Sequence, residues 1–116
     1  MFNEDMGKYK VWLYRDMNGD SPVEKSFKRM NKSQQSKISK QILHLSEYGV
    51  SIHNNSLKKL SGTPLWEIRI LGKDNIRLFC ADTKYGVTVL HIFVKKSQKT
   101  RISDVSMAVK RLSTIS

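Results

Sequence analysis

The chain has 116 residues, of which 39% are hydrophobic, enough for one domain with a modest core spanning residues 1–116. Lys and Arg total 21 against 10 Asp and Glu, and a net charge of +11 implies an acidic partner: nucleic acid, an anionic membrane surface or an acidic protein. No apolar run is long enough to span a bilayer, Met1–Gly7 is acidic and polar unlike a signal peptide, and the single Cys80 excludes an internal disulfide, so a cytoplasmic protein with no membrane partner is expected.

Lys8 to Tyr14 is rich in aromatic and β-branched residues and reads as a first strand, ended by the turn Asp16-Met17-Asn18-Gly19-Asp20. Ser21-Pro22-Val23-Glu24 predicts a helix start, with Ser as N-cap, Pro at the first helical position and Glu closing a capping box. That short helix runs to about Met30. Asn31 caps a second, with Ile38, Ile42, Leu45 and Tyr48 on one stripe and Gly49 as its left-handed stop. The two form a helical hairpin with a single apolar stripe.

A polar loop and the basic approach Leu57-Lys58-Lys59-Leu60 lead to three strands of strong alternation. Trp66, Ile68 and Ile70 share one side of the first, with Glu67 and Arg69 on the other. After a turn at Gly72-Lys73-Asp74-Asn75, the next divides into Ile76, Leu78, Cys80 and Arg77, Phe79, Ala81. After Thr83-Lys84-Tyr85-Gly86, the last divides into Leu90, Ile92, Val94 and His91, Phe93, Lys95. Cys80 falls on the apolar side and is read as core rather than nucleophile. Ser103 is expected to cap a final helix from Asp104 to about Leu112, with Val105, Met107, Ala108, Val109 and Leu112 as its apolar side. The predicted fold class is therefore α+β: an antiparallel sheet in the order β-α-α-β-β-β-α, with the helical hairpin covering its apolar face and its basic face left open.

That second face would hold Arg69, Arg77, His91 and Lys95 with Phe79 and Phe93 between them, a make-up that grips a polyanion and stacks on bases. The charge is concentrated there: from Leu57 onward twelve bases face four acids, against nine and six before it. Cleavage of RNA through its 2′-OH needs a proton acceptor, cationic stabilisation of the pentavalent phosphate and a proton for the 5′-oxygen. Arg69 and Arg77 suit the stabilising role, Lys95 or Lys96 suits proton transfer, and His91 titrates nearest neutrality. Lys58, Lys59, Lys96 and Lys99 are candidate RNA contacts, with Phe79 and Phe93 as base platforms. His44, His53 and His91 are scattered, so no metal or other cofactor is expected. The ordinary alternatives are a solvated charged face with Arg69 paired to Glu67 or Asp82, a packed strand histidine, and strand aromatics that belong to the core.

The string His91-Ile92-Phe93-Val94-Lys95-Lys96-Ser97-Gln98-Lys99-Thr100, with Leu65-Trp66-Glu67-Ile68-Arg69, Ile76-Arg77-Leu78-Phe79, Leu57-Lys58-Lys59-Leu60 and the Ser21-Pro22-Val23-Glu24 start, resembles the RelE superfamily of bacterial toxins. The match is closer to its HigB-type, phage-associated branch, and it covers roughly residues 8 to 112. Many relatives carry Pro shortly after the Lys-Thr step, where this chain has Arg101-Ile102. The resemblance implies a ribosome-dependent endoribonuclease that cuts mRNA in the ribosomal A site. It also implies a cognate helix-turn-helix, HigA-like antitoxin that holds the toxin inactive. The same charge would equally serve a non-catalytic RNA- or ribosome-binding module, which needs no acid or base, or a protein that meets an acidic partner.

Overall fold

The computed structural model describes residues 8–51, 54–70, 72–96 and 102–115. The elements are β1 (Val11–Leu13), α1 (Pro22–Lys28), α2 (Lys32–Tyr48), β2 (Leu57–Lys59), β3 (Trp66–Ile70), β4 (Ile76–Thr83), β5 (Gly86–Val94) and α3 (Ile102–Ser113). The helix starts are set by local chemistry. Ser21 accepts from the Glu24 N–H, and Asn31 and Gln34 form a reciprocal capping box that satisfies donors the helix itself cannot. Gly49 closes α2 at φ +67, where glycine has no Cβ to clash.

The five strands form one sheet in the order β1-β5-β4-β3-β2. β2, β3, β4 and β5 are an antiparallel meander, whereas β1 lies parallel to β5, with Val11 opposite Val87 and Leu13 opposite Val89. The sheet is thus mixed, not wholly antiparallel, and Leu57–Lys59 adds a strand that a three-residue segment hides in the sequence. The parallel pair requires close backbone approach at Gly86. Val87 donates to the Lys10 carbonyl at 2.9 Å, and a Cβ on Gly86 would meet that oxygen at 2.7 Å.

The apolar face of the sheet, including Ile68, Ile76, Leu78 and Ile92, joins Val23, Phe27, Ile38, Ile42 and Leu45 of the helical hairpin in one core. Each such side chain contributes about 2 kcal/mol on full burial, well above the exposed ion pairs on α1. The other face is not left open. α3 lies across it, with Ala108 fully buried and Val105 and Leu112 packed on the core, while Met107 and Val109 turn outward to solvent. Tyr14 of the segment after β1 bonds Thr114 through its hydroxyl at 3.3 Å, and Arg111 donates to the Leu90 carbonyl at 2.7 Å. The last helix therefore spans from β5 to the β1 edge.

Candidate functional site

Register brings the basic residues into rows. Lys58 of β2 is opposite Glu67 of β3, Glu67 is opposite Phe79 of β4, and Phe79 is opposite His91 of β5. The next row sets Arg69 directly against Arg77, and Arg77 against Phe93. Like charges directly opposite on a sheet are destabilising, so this pair demands a counter-charge. Glu67 supplies it. Its carboxylate lies 3.6 Å from Arg69 Nε and 3.7 Å from Arg77 Nε, at ion-pair rather than hydrogen-bond range.

The three groups differ in freedom. The Glu67 side chain is 3% exposed and that of Arg77 11%, whereas Arg69 is 46% exposed. Arg77 is further held by Nη1, which donates to its neighbour's carbonyl at Ile76. Glu67 Oε2 and Arg77 Nε are buried with no hydrogen-bond partner among the described residues. A guanidinium keeps its proton in proteins, so burial of Arg77 is tolerated only through this carboxylate. The result is one buried arginine, one half-exposed arginine at the surface, and net positive charge with Lys58 exposed beside them.

Several candidates occupy other environments. Phe79 is fully buried, its ring 5.1 Å from Phe93, so it is core and presents no face to a base. His91 is buried beneath α3, with Nε2 2.9 Å from Asp104 Oδ1 and its ring stacked on Phe93 at 4.8 Å and 16°. The expectation of an open basic face fails here because α3 brings its own acid to meet the histidine. Lys59 points to the opposite side from Lys58; its ammonium sits 5.6 Å over the Trp66 ring and donates to the Thr63 carbonyl. Phe93 is half-buried, Lys95 follows β5 on the same alternation with its N–H on the Asn75 carbonyl, and Lys96 is exposed. Lys99 lies outside the described residues. Cys80 is buried, and that burial, followed by the Asp82 charge, pushes its thiol up to about 12, in keeping with a core residue.

Glu67 and Asp104 were not singled out from the sequence as site residues. The signal for Glu67 is the facing pair Arg69 and Arg77; the signal for Asp104 is an acid on the inner side of an amphipathic helix.

A comparison with solved structures finds the same fold in the E. coli toxin RelE, solved as a double arginine mutant in the free state. The TM-score is 0.61 at 20% identity, over 87% of this chain and 96% of that one. A comparison with curated proteins finds no match. The family model described as phage derived protein Gp49-like (DUF891) matches residues 25–113, from α1 through α3 and including the whole arginine–glutamate cluster, and the chain belongs to that family.

Proposed function

We propose that this chain is the toxin of a type II toxin–antitoxin pair: a HigB-type endoribonuclease that cleaves mRNA on the ribosome without a metal ion. In this reading a cognate HigA-like helix-turn-helix antitoxin neutralises it in the cytoplasm. The observation that carries the reading is the facing pair Arg69 and Arg77 tethered by buried Glu67. The family match and the RelE-like fold support it.

In this reading Arg77, held from behind by Glu67, and the more exposed Arg69 neutralise the charge that gathers on the non-bridging phosphate oxygens as the 2′-oxygen attacks phosphorus and gives up its proton to water. The bond from phosphorus to the 5′-oxygen then breaks, and that oxygen takes a proton from Lys95, which follows Phe93 beside Arg77. Lys58, Lys96 and Lys99 track the RNA backbone, and the half-buried Phe93 offers an aromatic edge to a base. Glu67 is a positioning residue. His91 orients Phe93 and anchors α3 through Asp104, in place of the acid–base role its titration range suggested.

Purified protein added to ribosomes stalled on a defined mRNA should cleave the message. Arg69→Ala and Arg77→Ala should each slow the single-turnover rate by about a hundred-fold or more, the usual effect of losing a transition-state cation. A folded double variant that cuts at the wild-type rate would remove these residues from the mechanism. Salt-sensitive RNA binding with no cleavage by the wild type would favour the non-catalytic binding module.

A further inference from the structure

At the edge of the sheet remote from β3, a cavity of about 400 Å³ opens between β1, the β4–β5 turn and the end of α3. Trp12, Leu13, Met17, Tyr85 and Ile115 supply its apolar walls. These are poor choices for a bare surface: Trp12 is 42% exposed, Tyr85 58% and Met17 98%. Their positions are fixed. Trp12 Nε1 donates to the Tyr85 carbonyl at 2.7 Å. The turn carrying Met17 is closed by the Asp16 carboxylate, which accepts from the N–H groups of Asn18 and Asp20. An ordered turn that holds a methionine wholly in water beside a pre-formed apolar cleft is the anatomy of an anchor pocket.

We propose that this groove is the docking surface for an acidic segment of the neutralising protein partner, with an aromatic or large aliphatic side chain seated between Trp12, Tyr85 and Met17. The inference rests on the toxin reading above. Charge complementarity selects the occupant. Arg15 lines the cleft 4.0 Å from Glu24, Lys84 lies 5.3 Å over the Tyr85 ring, and Arg111 lies 5.5 Å over Tyr14 while donating to the Leu90 carbonyl. The acid in the lining, Asp16, already serves its own turn. The aliphatic walls of Met17, Leu13 and Ile115 favour a protein anchor over a stacked base. The groove shares α3 with the site. The helix meets His91 at its first turn and the cleft just past its last, so an occupant bears directly on the element that covers the basic face.

The test uses the full chain and the product of the adjacent open reading frame. Met17→Glu/Lys84→Glu changes two exposed residues outside the arginine site and should leave ribosome-dependent cleavage intact. Calorimetric affinity for the neighbour's product should weaken by about ten-fold or more, and co-expression should no longer rescue growth. Met17→Lys should weaken binding less than Met17→Glu, because it keeps the positive rim. A double variant bound and neutralised as well as a toxic wild type would overturn the groove while leaving the toxin reading in place. Weakened RNA binding with unchanged partner affinity would also overturn it, in favour of an RNA track. A wild type that neither arrests growth nor binds the neighbour's product would overturn both together.

Discussion

The Glu67 carboxylate decides whether Arg69 and Arg77 can face one another. Alternation alone places both arginines on the second face, and that much is legible from the sequence. What alternation cannot show is that Glu67, two residues before Arg69, is sealed from water while Arg69 is not, because burial is set by strands and a helix distant in the chain. Glu67→Gln should lower unfolding free energy in urea by about 3 kcal/mol, the lower end of the range for breaking a buried pair, since Arg69 can turn to solvent. An unchanged midpoint would show that the carboxylate does not hold the pair. Cys80 carries a pH signature. Its thiol is raised from an ordinary 9.0 to about 12 in the folded chain, so the unfolded chain loses that proton first. The stability contributed by this thiol is complete below about pH 9 and is lost as pH climbs towards 12. Denaturation midpoints measured between pH 8 and 11 should fall less steeply for Cys80→Ala than for the wild type.

Among the elements, those governed by local chemistry were readable. Ser21 with Pro22, Asn31 and Gly49 bound the two hairpin helices where the sequence places them, although the reciprocal box forms at Asn31 and Gln34, while the Glu24 carboxylate pairs with Lys28. β3 follows its alternation, and β4 and β5 follow theirs except at a bulge between Phe79 and Cys80, where Cys80 pairs with Val89 and Leu90 is passed over. The misses have non-local causes. β1 is parallel to β5 across more than seventy residues, and no period in the sequence reports a partner that far away. The inner side of α3 includes Asp104, which an apolar pattern counts as outward, because His91 awaits it on β5. The β1–β5 contact also makes Gly86 irreplaceable. At φ +128, with the Lys10 carbonyl 2.7 Å from any added Cβ, Gly86→Ala should destabilise by about 2 kcal/mol in chemical denaturation. An effect near zero would mean that the β1 edge yields freely.

For the whole molecule, the +11 charge implies an acidic partner, but composition does not show how that charge is distributed over the surface. The arginine cluster sits on β3 and β4, the apolar groove at the opposite edge beside β1, and α3 packs on β4 and β5. If Arg69, Arg77, Lys58, Lys95 and Lys96 each meet a phosphate, log affinity for single-stranded RNA should fall with log salt at a slope of about −3.5. Arg69→Ala/Arg77→Ala should reduce that slope by about 1.4. An unaltered slope would place the RNA elsewhere on the surface.

The most direct measurement is a genome-wide map of new mRNA 5′ ends after induction of the chain in a bacterial host, with Arg69→Ala/Arg77→Ala as the folded control. New ends confined to translated frames, and missing in the control, are the predicted result. Undiminished cutting by the control, or no new ends from a folded and abundant wild type, would contradict the assignment of a ribosome-dependent nuclease centred on this arginine pair.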